Sequence, residues 1–258
     1  MENGGLAMLS LREVTYQYPK EPAPTVEGLS FDVQKGEFVS LVGVSGCGKS
    51  TIFRLINGLI HPDGGEILVS GETIRGKRHY CGYMPQRDLL FPWRTVEANL
   101  KLPLEIAGGM TKSEMRQRAN QMLDQVGLSG CGGKYPAELS GGMRQRAAFG
   151  RTVLTGSDLL LLDEPFSALD FLTRVAMQEW LHTQWTQHSK TILFITHDVD
   201  EAVFLSKRIL IVTQTPIKTL IDIPVPLPYP RSREMLARPE IIALREQLVA
   251  LLRKQVAL

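Results

Sequence analysis

The chain has 258 residues, of which 43% are hydrophobic and 22% are charged, and its formal net charge is +2. These values are typical of a soluble domain that buries a sizeable core. No block of lysine and arginine is long, so the charge indicates no nucleic-acid partner. The longest apolar runs have the length of strands, well short of the roughly 20 residues that a membrane-spanning helix requires. The three cysteines are scattered and predict reduced thiols rather than a disulfide framework.

The first clear pattern is a glycine-rich stretch between a predicted strand and a predicted helix. EFVSLV at 37–42 is typical of a buried strand, and apolar residues then follow helical spacing until His61-Pro62, which we expect to end the helix. The stretch between them matches G-x-x-x-x-G-K-[ST], the pattern of a phosphate-binding loop. The residues predicted to bind nucleotide there are Gly43, Val44, Ser45, Gly46, Cys47, Gly48, Lys49, Ser50 and Thr51.

The chemistry of this loop follows from its residue types. Backbone N–H groups of the glycines surround phosphate oxygens, and the helix that follows presents its positive end to them. Lys49 is expected to reach the β- and γ-phosphates, and the Ser50 hydroxyl is expected to bind Mg²⁺. The alternative is a glycine-rich turn that binds nothing. Upstream, Tyr18 is a candidate for stacking on the base, although local sequence is equally consistent with core packing.

The middle of the chain, residues 87–157, has the pattern of helices. Thr111 and Glu114 form a capping-box pattern, and apolar residues then recur on one face. Further along, LSGGMRQR at 139–146 predicts an N-cap at Ser140, with Gly141 and Gly142 leaving backbone N–H groups bare. This is a second candidate anion site at a helix terminus. We expect two copies of the chain, facing each other head to tail, to bring both sites to one nucleotide.

Strands are predicted again at 159–162, 191–195 and 209–212, with a helix from Leu169 to Gln187 between the first two. Apolar strands that alternate with helices predict a largely parallel sheet, whose ligands gather at the carboxyl ends of the strands. Asp163 at such an end suits Mg²⁺, and Glu164 suits the general base that polarises an attacking water. Two ordinary acids at a solvated strand end are the alternative.

Two weaker candidates follow other strand-like stretches. His197 comes directly after the strand TILFI and is positioned to contact a γ-phosphate. Gln86 in YMPQ carries an amide that suits Mg²⁺ or the attacking water. Taken alone, each residue is more typical of a structural role. The chain then ends with an extended, proline-rich segment at 222–230 and an amphipathic helix. The apolar members of that helix are Ile241, Leu244, Leu248, Leu251, Leu252 and Leu258.

Together these residues resemble the ATP-binding subunit of ATP-binding cassette (ABC) transporters, from about Leu9 to Val212. In that resemblance Tyr18 matches the base-stacking aromatic, 43–51 the Walker A loop and Gln86 the Q-loop. Residues 139–143 match the signature, 159–164 Walker B, 167–170 the D-loop and His197 the switch histidine.

The resemblance implies a P-loop NTPase of the α/β class, with a largely parallel sheet core, an N-terminal antiparallel β region and an inserted helical subdomain. It predicts one ABC domain over 1–258. Its core covers about 1–86 and 158–220, its helical subdomain about 87–157, and its C-terminal segment and helix 221–258.

The resemblance also implies ATP and Mg²⁺ as cofactors and a homodimer that sandwiches two ATP molecules, each between one Walker A loop and the other subunit's signature. Glu164 is then the catalytic base, His197 the γ-phosphate sensor, and Ser50, Gln86 and Asp163 the Mg²⁺ ligands. Membrane-embedded permease subunits are implied partners, so we expect the chain to lie peripherally on the cytoplasmic face of the plasma membrane. No nucleic-acid partner is expected.

DLLFPWRTVEANL at 88–100 is similar to importers of the nitrate, sulfonate and taurine type, and we expect Phe91, Pro92 and Trp93 to contact the permease rather than only to pack. A periplasmic or lipid-anchored solute-binding protein is an indirect partner. Other transporter classes (an exporter or a lipoprotein-release ATPase) and a soluble non-transport ABC protein remain alternatives, whereas a P-loop kinase leaves LSGGMRQR unexplained. Val44, Asn57 and Phe171 depart from the residues usual in this family.

Overall fold

A computed structural model describes residues 7–254 of the chain. Its strands are β1 (Ala7–Tyr16), β2 (Val26–Gln34), β3 (Phe38–Val42), β4 (Gly64–Val69), β5 (Glu72–Thr73), β6 (Gly82–Met84), β7 (Leu159–Asp163), β8 (Thr191–Thr196), β9 (Arg208–Val212) and β10 (Leu220–Pro224). Its helices are α1 (Lys49–Ile56), α2 (Val96–Ala107), α3 (Lys112–Gln125), α4 (Gly141–Val153), α5 (Phe171–His188), α6 (Val199–Leu205) and α7 (Pro239–Arg253).

The described part of the chain divides into two compact units, one formed by residues 7–80 and 181–254 and the other by residues 81–180. The first unit contains an antiparallel sheet in the order β2-β1-β4-β5. It also contains the strands β10-β9-β3-β8, in which β3 is parallel to both β8 and β9 while β10 is antiparallel. β3 and β8 are buried along their whole length, as expected for parallel strands covered on both faces.

The second unit contains the parallel pair β6 and β7 together with the helices α2, α3 and α4. The capping box predicted at Thr111 and Glu114 is present: the Thr111 hydroxyl accepts from the Glu114 N–H, and the Glu114 carboxylate accepts from the Thr111 N–H at 2.7 Å. The expected α/β class, with a parallel core, an N-terminal antiparallel region and a helical insertion, is confirmed. No described residue belongs to a helix long and apolar enough to cross a bilayer.

Two predicted helix boundaries are wrong. The helix after the glycine-rich loop ends at Ile56 rather than at His61, and Leu59, one of the apolar residues at helical spacing before His61, is exposed. Gly58 adopts a φ of 75° just beyond the end, and Tyr80 donates a hydrogen bond from its hydroxyl to the Ile56 carbonyl at 2.9 Å. These features terminate the helix early.

The helix predicted from Leu169 begins at Phe171, because the Asp170 carboxylate accepts from the Thr173 N–H at 3.0 Å and so caps the first turn. The proline-rich segment begins as β10, an edge strand, which agrees with its composition. Of the apolar residues predicted on the C-terminal helix, Leu258 lies outside the described residues. Ile241, Leu244 and Leu248 are buried against α6 and β9 as members of one apolar cluster.

Candidate functional site

The glycine loop (residues 43–51) joins β3 to α1 in the first unit. Backbone conformation and close packing explain why two of its positions are glycine. Gly48 has a φ of 101°, in the left-handed region, and a Cβ added there would lie 2.8 Å from the Thr25 side chain. A Cβ added at Gly43 would lie 2.9 Å from the sulfur of Cys47. Larger residues at these two positions would therefore displace the loop.

Lys49, the basic residue predicted to bind phosphate, is buried within this loop. Its ammonium donates to the carbonyl of Gly43 at 2.7 Å and to that of Val44 at 2.8 Å. Helix α1 begins at Lys49, so Ser50 and Thr51 occupy its first turn, and the Thr51 N–H donates to the carbonyl of the N-cap residue Gly48 at 3.0 Å. A buried cation and the positive end of a helix thus lie together at one loop, which suits a polyanionic ligand.

Tyr18 lies beside the first turn of α1. Its hydroxyl is 3.2 Å from the Thr51 hydroxyl and accepts from the guanidinium of Arg54 at 3.3 Å. Its ring packs edge-on against Tyr16, with 4.9 Å between the ring centroids. The aromatic residue predicted to contact the base is thus close to the loop predicted to bind the phosphates.

His197 leaves the sheet next to the glycine loop. β3 and β8 are parallel, and their register pairs Val42 with Thr196. The residues that follow, Gly43 and His197, therefore emerge side by side at the carboxyl ends of two neighbouring strands. His197 is exposed there. The first unit accordingly brings together Tyr18, the glycine loop and His197.

The second unit brings together the predicted acids and Gln86. β6 and β7 are parallel with Met84 opposite Leu162, so Gln86 and Glu164 each follow the pair by two residues. The Gln86 amide donates to the Glu164 carboxylate at 3.2 Å. Asp163 ends β7 and is only 2% exposed.

The backbone of Glu164 has an unusual conformation, with a φ of 48°. Residues other than glycine seldom adopt the left-handed region, which is unfavourable by about 1 kcal/mol or more. Strain of this kind is often found at functional sites, where the surrounding structure maintains it. The conformation turns the chain sharply at the end of β7, where the predicted general base lies.

The predicted N-cap at Ser140 is confirmed, because its hydroxyl accepts from the Met143 N–H at 3.3 Å at the start of α4. Ser140 and Gly141 are exposed, and Gly142 is partly so. A Cβ added at Gly142 would lie 3.2 Å from the carbonyl oxygen of Ala168. The glycine therefore permits close approach between the start of α4 and the segment that follows Glu164.

Gln145 is a residue of this site that sequence reasoning missed. It is 3% exposed, and its amide donates at 3.1 Å both to the Glu164 carbonyl and to the Ser167 hydroxyl. Its carbonyl oxygen accepts from the Ala168 N–H at 2.8 Å. These three side-chain hydrogen bonds all reach the segment from Glu164 to Ala168. Gln145 thus connects α4 to the backbone of the predicted base.

Two arginines of α4, which the sequence did not single out, bind the segment after Gln86. Arg144 donates to the Asp88 carboxylate at 3.1 Å and to the Leu139 carbonyl at 2.7 Å. Arg151 donates to the Leu89 and Asp88 carbonyls at 2.9 and 3.1 Å. Burial lowers the pKa of Arg151, while Asp88 raises it. Nothing in the sequence indicated that these arginines bind this segment. Most of their acceptors are backbone carbonyls, which any residue type can supply.

The predicted permease contact follows this segment and is accessible. Trp93 is 71% exposed, Pro92 is exposed and Phe91 is partly buried. The rings of Phe91 and Trp93 pack with their centroids 5.2 Å apart. Asn99 holds the turn, since it accepts from the Phe91 N–H at 2.8 Å and donates to the carbonyl of Phe91 at 3.1 Å. An exposed indole on an ordered turn is typical of a binding surface.

Comparison with known proteins shows the family to which the chain belongs. The family described as ABC transporter matches residues 26–167, more than half of the chain. The chain is 45% identical to the formylaminopyrimidine import ATP-binding protein ThiZ of Halalkalibacterium halodurans, over 88% of each chain. It is 41% identical to the aliphatic sulfonates import ATP-binding protein SsuB of Bacillus cereus, over 87% of this chain and 89% of that one.

A solved structure is also similar to the chain. It is the dimeric structure of a post-hydrolysis state of the ATP-binding cassette MJ0796, bound to ADP and Pi. The TM-score is 0.78 at 28% identity, and the match covers 84% of this chain and 99% of the other.

Proposed function

The chain belongs to the ABC transporter family, as an ATP-binding cassette, and we propose that it is the energy-coupling subunit of an importer for a small solute. Membership of the family makes it an ATPase that binds ATP and couples hydrolysis to transport. The observation that supports import is the similarity to ThiZ and SsuB, both named as import ATP-binding proteins, over nearly nine-tenths of the chain.

In this proposal the glycine loop and Tyr18 bind the nucleotide. Tyr18 stacks on the base, the N–H groups of residues 43–51 surround the phosphates, and Lys49 neutralises the β- and γ-phosphates. Asp163 fits a Mg²⁺ ligand because a buried carboxylate at a strand end is the hard oxygen donor that this ion prefers. Ser50 and Gln86 are the other proposed ligands. Bound Mg²⁺ neutralises charge on the phosphate oxygens.

Hydrolysis in this proposal depends on a water that Glu164 activates. The Glu164 carboxylate takes the proton of the attacking water, Gln86 orients that water, and His197 contacts the γ-phosphate. The hydrogen bond between Gln86 and Glu164 supports joint action on one water. Gln145 holds the backbone on which Glu164 is mounted.

We further propose that the active form is a homodimer in which Ser140, Gly141 and Gly142 of one copy contact the ATP of the other. The exposed cap at Ser140 supports this proposal, because N–H groups at a helix start attract phosphate. The similarity to a dimeric cassette also supports it. ATP would then close the dimer, and hydrolysis would reopen it.

The permease is proposed to bind at Phe91, Pro92 and Trp93, which places the chain on the cytoplasmic face of the membrane as a peripheral subunit. The hydrogen bonds of Arg144 support a connection between this surface and the segment proposed to contact the nucleotide. It binds the Asp88 side chain and the carbonyl of Leu139, the residue before Ser140. In this proposal, Arg144 passes a displacement of residues 88–93 to the start of α4. A solute-binding protein would deliver the solute to the permease.

Replacing Trp93 by alanine should lower solute uptake about tenfold or more while the purified chain keeps its ATPase rate. The indole is 71% exposed, so its loss should remove a docking group without opening the core of the protein. Uptake in a complemented deletion strain measures the effect. Leu59→Ala, which removes an exposed apolar side chain from the other unit, is the control. Undiminished uptake by the Trp93 variant would exclude this surface as the contact.

The solute is proposed to belong to the class of nitrate, sulfonates, taurine and pyrimidine precursors. Growth and uptake assays in a deletion strain, with each of these as the limiting source of nitrogen, sulfur or pyrimidine, test the proposal. We expect one of them to require the chain. Normal uptake of all of them by the deletion strain, with loss of an efflux phenotype instead, would overturn import.

A further inference from the structure

The segment that carries His197 is fixed on both sides by side-chain hydrogen bonds. Thr196, the last residue of β8, is 2% exposed, and Asp198 precedes α6 as its N-cap. The Asp198 carboxylate accepts from the N–H groups of Asp200 and Glu201 at 2.8 and 3.2 Å. His197 is the single residue between these two anchored neighbours.

The Thr196 hydroxyl makes two hydrogen bonds to residues beyond His197, one as acceptor and one as donor. It accepts from the Asp198 N–H at 2.9 Å, so its own proton is free for a second bond. That proton is directed to the Glu201 carboxylate, with 2.6 Å between the two oxygens. Glu201 is only 7% exposed, and a buried carboxylate is unfavourable unless hydrogen bonds compensate it. One hydroxyl therefore joins the residue before His197, the residue after it and the first turn of α6.

Helix α6 is a rigid support for this carboxylate. Ala202 and Val203 are fully buried in the apolar cluster that α7 completes. Arg245 of α7 also binds the Asp200 carboxylate through two nitrogens, at 2.5 and 2.9 Å. Packing against α7 and the Arg245–Asp200 ion pair thus hold the first turn of α6, which carries Glu201.

We propose that Thr196 and Glu201 are positioning residues that hold His197 in the orientation required at the γ-phosphate. The proposal rests on the proposed role of His197 in hydrolysis. Neither residue is expected to touch the nucleotide: both act through the backbone on either side of the histidine. A hydroxyl that only stabilised the end of β8 would affect folding and leave the turnover of the folded protein unchanged.

The kinetic test uses Thr196→Val, which keeps the shape of the side chain and removes the hydroxyl. We expect kcat for ATP hydrolysis by the purified chain to fall about 10- to 100-fold, with KM changed less than about twofold. Thr196→Ser restores the hydroxyl and should restore most of kcat. Thr191→Val is the matched control: it removes a buried hydroxyl from the other end of β8, where it accepts from the Gly36 N–H, and should leave kcat unchanged.

Combining Thr196→Val with His197→Ala decides whether the hydroxyl acts through the histidine. We expect the double variant to be no slower than His197→Ala alone, because a positioning residue has no effect once its target is gone. An equal further loss in the His197→Ala background would overturn the proposal. Thermal unfolding and nucleotide binding, measured on every variant, identify any that fail to fold.

Nuclear magnetic resonance of the histidine rings tests the positioning without reference to hydrolysis. His197→Ala assigns the His197 ring signal among the five histidines of the chain. We expect Thr196→Val to shift or broaden that signal and Thr196→Ser to leave it in place. An unchanged signal in Thr196→Val would overturn the positioning proposal. Wild-type hydrolysis by His197→Ala would instead overturn the proposed role of the histidine, while the ring signal still decides its positioning.

Discussion

Replacing Glu164 by glutamine should lower ATP hydrolysis about 100-fold or more while ATP still binds. Glutamine has the same shape, and its carbonyl oxygen can still accept the hydrogen bond that Gln86 donates at 3.2 Å. It cannot take a proton from the attacking water. Bound ATP should therefore persist, and the dimer that it closes should accumulate.

Phosphate release at saturating ATP measures the rate, and size-exclusion chromatography with ATP measures the dimer. Glu66→Gln is the matched control, since Glu66 is an exposed carboxylate paired with Arg12 at the surface of the antiparallel sheet. It should hydrolyse ATP at the wild-type rate. A wild-type rate for Glu164→Gln would show that another group is the base.

Replacing Ser140 by arginine should abolish hydrolysis and leave ATP binding nearly unchanged. The serine is exposed at the start of α4, so a long cation there obstructs an approaching partner without entering the core. Its own chain keeps an intact glycine loop. Loss of the N-cap is expected to destabilise the protein by only about 1 kcal/mol. Thr111→Ala removes the cap of α3 in the same unit and is the control for that effect.

Mixing two inactive variants separates a shared site from a site within one chain. In a mixed dimer of Ser140→Arg and Lys49→Ala, one nucleotide site combines the intact glycine loop of the first with the intact Ser140 of the second. Random pairing then predicts recovery of about a quarter of the wild-type rate. If both segments served the same nucleotide within one chain, the mixture would remain inactive.

The sequence by itself determined the local features of this protein. The glycine loop, the N-cap at Ser140 and the capping box at Thr111 each depend on residues close together in the chain, and the structure contains all three. Strand-length apolar runs identified β3, β7 and β8, because a buried parallel strand requires apolar residues on both faces. The family resemblance also followed from such short motifs, and the similarity to known cassettes confirmed it.

Tertiary structure alone decided how the candidate site is supported. Gln145 holds the Glu164 backbone from 19 residues away, and Arg144 binds Asp88 from 56 residues away. The end of α1 depends on Tyr80, which bonds Ile56 from 24 residues along the chain. No periodicity or spacing encodes such contacts, because their partners include backbone carbonyls whose positions exist only after folding. Thr196 and Glu201 are close in sequence, yet only the fold shows that their hydrogen bond spans His197.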